Sequence, residues 1–560
     1  MAGRFLTECS FDCLQLMLAP HMLTMFKCNL RKICFRRYAP NIARNFLDLN
    51  RLRMRAFALV RDSGIRVTKQ QFSVALSFTA LVIAGISGYG IAVNGAIFGA
   101  AIAAGMAGVL VIFLPVNLLV AGILFVTFLV VGQLQYLLLI NKAFWLPYGL
   151  GVLIGMRLIT DNLGSGSKYD KRPIRINGFL LLMMAYVSAI VFSTAVNASP
   201  MLQVLVSVKE YLCLWSLFFV AALGFLTREY LHRMWIALLW LAPLQLPMVL
   251  YQRLVVASER RGSSAWDAVV GLFGGNPDGG GASGAMAFFL VFAIVLSISY
   301  WRSGIIRLRF MFLVVSSAIA SIAMSEVKVA LIVLPISIIL LYRVELIRRP
   351  FKGLVLVSGV LLLSLALTWG YMTQFSSDRT RAGQSIDGYV ETMISRATDT
   401  SSVNTRDGYM TRTSALVFWS AQHSLDDPLR MLLGHGIGAS RVGGTVVGET
   451  AARYMYRLDA SSATVFLWEI GIIGLTIVLL MFVAAGRMAL RVCRNPAASV
   501  EERATGTAFA AMLPMYGAEI FYNTDFANIP QSQVIMIMMM GYLMFVSAQL
   551  PSTQMGQLDG

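Results

Sequence analysis

Charge is scarce in this chain. Of 560 residues only 13% are Asp, Glu, Lys or Arg, 57% are hydrophobic and the mean hydropathy is +0.71. A water-soluble globule of this size cannot hide so much apolar surface, so soluble enzymes and soluble binding modules are excluded. Cysteine is sparse as well, six residues in all. Cys9, Cys13, Cys28 and Cys34 fall in the basic N-terminal segment, Cys213 in an apolar run and Cys493 in a short basic connection. None is expected on the outer side, so no disulfide is expected, and C-x3-C with C-x5-C suits zinc poorly, so no metal is expected. No apolar core followed by a small-residue cleavage site opens the chain, so no signal peptide is expected either.

What the chain has is length in apolar runs. About 20 apolar residues cross a hydrocarbon core, and only a helix or a closed barrel satisfies its backbone there. Fourteen runs qualify as helices: 72–93, 95–114, 116–136, 138–156, 178–198, 201–225, 233–251, 283–301, 309–324, 327–343, 353–371, 461–485, 505–522 and 532–549. The expectation is an all-α polytopic membrane protein with about 14 spans (12 to 14).

The formal charge of +18 could indicate a nucleic-acid partner, but its distribution argues otherwise. With the N-terminus inside, five short inner loops carry 18 Lys and Arg and residues 1–71 carry 13 more, so 31 of 46 lie inside. That asymmetry predicts both termini cytoplasmic and leaves no role for nucleic acid. The resulting divisions are a basic segment at 1–71 suited to an anionic leaflet, a bundle at 72–371, a large outer loop at 372–460, terminal helices at 461–549 and a tail at 550–560.

Two outer segments exceed a simple connection, 252–282 and 372–460. The second has nine Arg, nine acids and no Lys. Exclusive use of Arg suits planar recognition of phosphate or carboxylate, or a cap tied by Arg-carboxylate pairs. Within it "TSALVFWSAQ" (413–422) predicts a short helix lying on the bundle, Pro428 ends regular structure, and "GHGIG" (434–438) forms a turn able to present amides to an anion. The first segment adds Arg253, Arg260 and Arg261, against the inner bias of positive charge, beside a Gly cluster. Glu326 and Lys328 stand near an outer helix end, and Lys209 and Glu210 lie inside an apolar run, where charge is costly and faces a cavity or a partner.

Arg406, Arg412, Trp419, Pro428, "GHGIG" and "EIGIIG" (469–474) follow one another across an outer loop into a span. In this order they resemble the O-antigen ligase and polymerase superfamily of bacterial inner membranes, over roughly residues 320–485. The resemblance implies metal- and cofactor-independent transfer of glycan from an undecaprenyl-diphosphate-linked oligosaccharide at the periplasmic face. It also implies that outer-loop arginines hold the diphosphate, with membrane lipid and other polysaccharide-assembly proteins as partners. Ligases of the family have a histidine several residues before E-x-G-x-x-G; here the stretch reads "RLDASSATVFLWEIG", without one, which favours a polymerase. The site residues implied are Asp459 or Glu326 as base and Arg412 at the reacting centre. Arg253, Arg260, Arg261, Lys328, Arg406, His435 and Arg441 are the expected substrate contacts. A ligase acting on lipid A core is the nearest alternative. A polyprenol-phosphate sugar transferase is disfavoured because the first outer loop is only a few residues around Asn94. A transporter or flippase would call for mid-membrane charge and interrupted helices.

Overall fold

A computed structural model describes residues 114–163, 178–257, 268–275, 282–325, 327–374 and, with interruptions between 387 and 456, the chain on to 550. The segment 1–71, the run at 72–93, all but the last residue of the run at 95–114 and the tail beyond 550 lie outside the described residues. The helices are α1 (Val116–Leu138), α2 (Asn141–Thr160), α3 (Gly178–Val196), α4 (Met201–Ala222), α5 (Arg228–Val256), α6 (Ser283–Arg302) and α7 (Leu308–Ser325). There follow α8 (Ala330–Leu341), α9 (Pro350–Gln374), α10 (Arg412–Gln422), α11 (Pro428–Leu433), α12 (Ser462–Arg494), α13 (Val500–Tyr522) and α14 (Pro530–Gln549). Among the described residues, one antiparallel pair of two-residue strands, Val403–Asn404 with Tyr409–Met410, and the isolated bridge of Val442 with Val447 interrupt an otherwise helical architecture.

Ten of these helices are long and apolar enough to cross a membrane: α1 to α7, α9, α12 and α14. The protein is thus a multi-pass helical membrane protein. The run expected at 327–343 contributes only the 12-residue α8, and that at 505–522 becomes the 23-residue α13, which is not among the ten. α6 and α14 form the centre, with 83% and 89% of their apolar stretches buried, whereas α9 has 22% buried and faces outward.

Lipid is as apolar as a side chain, so these helices associate through close packing and polar contacts rather than water exclusion. Gly541 of α14 illustrates the first: a Cβ there would lie 3.0 Å from the Phe218 carbonyl of α4. An aromatic knot fills the middle, where Trp235 of α5 sits edge-on to Phe509 of α13 at 4.9 Å and both are fully buried.

The segment expected as an outer loop from residue 252 behaves differently. α5 continues to Val256 in a widened final turn, Gln252–Val256, that carries Arg253. Ala268, Val269, Val270 and Phe273 are then fully buried. Gln252 explains this: its Oε1 accepts from the amides of Val270 (2.9 Å) and Gly271 (2.6 Å), and its Nε2 donates to the Gly271 carbonyl (3.0 Å).

Candidate functional site

The site grows from a break in α12. Gly471 has φ 67° and ψ −170°, so the helix stops after Ile470 and restarts beyond it. Only glycine fits, because a Cβ would meet the Leu432 carbonyl oxygen at 2.2 Å, where the end of α11 crosses. Carbonyls freed by the break find new donors. Trp468 O accepts from His435 N (2.8 Å), and Glu469 O accepts from Gly436 N (3.0 Å) and Ser193 Oγ of α3 (2.6 Å). Gly434, Gly436 and Gly438 all have positive φ, which curls "GHGIG" tightly enough to reach them.

Four donors converge on the carboxylate of Glu469, which is 3% exposed. Gly438 N (2.6 Å) and the Tyr211 hydroxyl (2.7 Å) donate to Oε2, while Ser440 Oγ (2.7 Å) and Ser440 N (3.3 Å) donate to Oε1. The turn does present amides to an anion, as expected of it, and that anion is the protein's own. Two motifs of the sequence, G-x-G-x-G and E-x-G-x-x-G, are therefore one structural unit.

Above this unit opens a cleft of about 870 Å³, counted out to solvent, whose wall includes Trp145, Lys209, Glu210, Arg441, Asp459 and Glu469. Lys209 and Glu210 lie in a widened helical turn, Lys209–Cys213, within α4. Such a turn holds one residue more than a regular one and leaves backbone groups unpaired. Here the Glu210 carbonyl accepts from Gln533 Nε2 of α14 (3.0 Å). Lys209 pairs with Glu210 and its Nζ stands 5.0 Å from the Trp145 ring and 4.9 Å from the Tyr148 ring. Arg441 donates through Nη1 to both Glu210 oxygens, at 2.8 and 3.0 Å. Burial pushes the Asp459 carboxyl above its usual range, and Arg457 and Arg441 pull it back.

Of the site residues implied by the resemblance, Arg441 and Asp459 both line this cleft. Arg412 does not line it. Its guanidinium lies 4.0 Å over the Tyr522 ring at the end of α13, close enough to Asp525 to oppose the burial that raises that carboxyl to about 7. His435 is engaged with His423, Nε2 to Nε2 at 3.0 Å, against the Trp468 ring. His423 Nδ1 lies 2.8 Å from the Trp419 carbonyl, an acceptor, so Nδ1 carries the proton and the bare Nε2 receives that of His435. Burial, reinforced by His423, lowers His435 to about 4, and burial lowers His423 as well. Arg253 sits on the last turn of α5 and Lys328 just before α8; neither lines the cleft. Glu326, Arg260, Arg261 and Arg406 lie outside the described residues.

Sequence reasoning marked Lys209 and Glu210 as costly charges but gave them no function, and it missed Tyr211 and Ser193. The visible signal was two adjacent charges in an apolar run, since intramembrane charge usually lines a cavity. No protein-family model matches the chain, and no curated protein matches it.

Proposed function

We propose that the protein is a polysaccharide polymerase of a bacterial inner membrane, with 12 to 14 spans and both termini cytoplasmic. In this reading it transfers glycan from an undecaprenyl diphosphate to a lipid-linked repeat unit at the periplasmic face. The observation that carries the reading is that Arg441 and Asp459 line one cleft, since group transfer from a diphosphate needs a cation and a base within reach of one substrate. Asp459 takes the proton of the acceptor hydroxyl, and that oxygen bonds to the anomeric carbon. The bond from this carbon to the diphosphate oxygen breaks, and the electron pair leaves with the diphosphate. Arg441 neutralises the charge that develops there. A carboxyl raised by burial is a better base near neutral pH than a free one, because it binds its proton more firmly.

The test is elongation in detergent, where no membrane side exists: purified protein with lipid-linked repeat units should give polymer. Arg441→Ala should reduce turnover about a hundredfold at normal abundance, and Arg441→Lys should recover only part, lacking planar donors. A second reading, a flippase, is favoured by the break of α12 at Gly471 and by charge within α4. It predicts no polymer in detergent from folded protein, together with transbilayer movement of the lipid-linked unit in proteoliposomes. That pair of results would replace the polymerase reading.

A further inference from the structure

Two cations and one carboxylate meet at the floor of the cleft in an arrangement that a ligand can take over. Lys209 is 7% exposed by its side chain, Glu210 12% and Arg441 28%. Arg441 uses only Nη1 on Glu210, and its remaining guanidinium donors have no hydrogen bond among the described residues. Asp459, in the same wall, makes no ion pair among the described residues. Lys209 is held from below by the faces of Trp145 and Tyr148, which favour a cation and supply no anion. Glu210 therefore carries two cations on one side chain, and a compact multivalent anion would match their charge better than a single carboxylate does.

We infer that Glu210 is a resident stand-in for a phosphate- or diphosphate-bearing ligand, holding Lys209 and Arg441 in place until that ligand exchanges with it. The inference deepens the reading above and rests on it for the natural anion, not for the seat itself. Exchange moves the Glu210 carboxylate off Arg441 and brings the anion's oxygens onto Nη1, the spare Arg441 donors and the Lys209 ammonium. No bond is made or broken, so it is a binding equilibrium. An internal competitor weakens the apparent affinity by the fraction of molecules in which it is released.

The experiment uses the full chain in phosphatidylcholine nanodiscs, titrated with inorganic pyrophosphate by calorimetry. If Glu210 occupies the cations in about nine molecules of ten, Glu210→Gln tightens pyrophosphate binding about tenfold. Glu210→Asp, which keeps the charge but shortens the reach, falls between, and Lys209→Met weakens binding. Nanodiscs containing phosphatidylglycerol identify the source: weaker pyrophosphate binding there gives the seat to a bilayer headgroup, and unchanged binding leaves it to a diphosphate. Either result keeps the anion seat. Folded Glu210→Gln protein that binds pyrophosphate no more tightly than the unmodified chain overturns it. Should that variant not fold, equal affinity of Glu210→Asp and the unmodified chain does the same. No glycosyl transfer is measured, so a polymer assay that fails beside tightened pyrophosphate binding would sink the polymerase reading alone.

Discussion

The two ends of the helical bundle are tied by different chemistry. At the end reached by Arg228, Arg302 and Arg494, partly or fully exposed ion pairs predominate. Arg302 meets Glu345 with side chains 31% and 44% exposed, and Arg233 meets Glu229 with both largely in the open. At the opposite end of the same helices α5, α6 and α12, buried or half-buried amides and the buried Glu469 carboxylate grip the backbone of turns. Gln203 donates to the Ile437 carbonyl (2.9 Å) and accepts from Glu449 N (3.1 Å), Asn197 donates to the Gly434 carbonyl (3.0 Å), and Glu469 collects four donors. Exposed ion pairs contribute little and tolerate exchange, whereas a buried acceptor with several donors fixes a single shape. The end that holds its shape is the end that carries the cleft.

The comparison breaks first at Glu469. Glu469→Ala leaves Gly438 N, Ser440 N, Ser440 Oγ and the Tyr211 hydroxyl without their buried acceptor, at a cost of about 4 kcal/mol. The expected outcome is loss of the monodisperse peak in size-exclusion chromatography from mild detergent; a normal peak with normal heat resistance would show that the two ends are equivalent. Gly471→Ala should cost about 2 kcal/mol, since its φ of 67° and the Leu432 carbonyl oxygen 2.2 Å from an added Cβ both resist a side chain. Thermal unfolding should fall while some folded protein remains. Glu345→Ala, at the basic end, should cost under about 1 kcal/mol and leave the unfolding temperature nearly unchanged. A large drop there would mean that the exposed pairs carry more than their burial suggests.

Much of the bundle was legible because apolar runs and spans have the same length. α10 was legible too: the pattern of 413–422 predicts one apolar face, and Ala415 and Trp419 are buried on it. Pro428 was misread as an end to regular structure. It starts α11, where proline's missing amide costs nothing and Asp427 caps the turn by accepting from Arg430 N (3.3 Å). The burial of 268–273 was invisible because it depends on Gln252 and its neighbours reaching across the chain, and a lone glutamine carries no such signal. In the site, Arg441 and Asp459 were found as polar residues of one long loop. Their companions Lys209 and Glu210 were seen and left without a role, because a widened turn has no composition of its own.

That widened turn constrains the chain in length rather than in kind. A helix turns about 100° with each residue, but the turn at Lys209–Cys213 takes up its extra residue within itself and so keeps in phase Met201–Val208, which faces the glycine turn, and Trp215–Ala222, which packs on α14. Many substitutions in α4 would preserve both faces. Loss of one residue between 209 and 213 would make the turn regular and leave both faces in phase, whereas loss of one residue in either flank would rotate part of that flank by about 100°. Inside α4 a change of chain length is therefore open only at the widened turn, and there it would draw Lys209 and Glu210 into a regular turn.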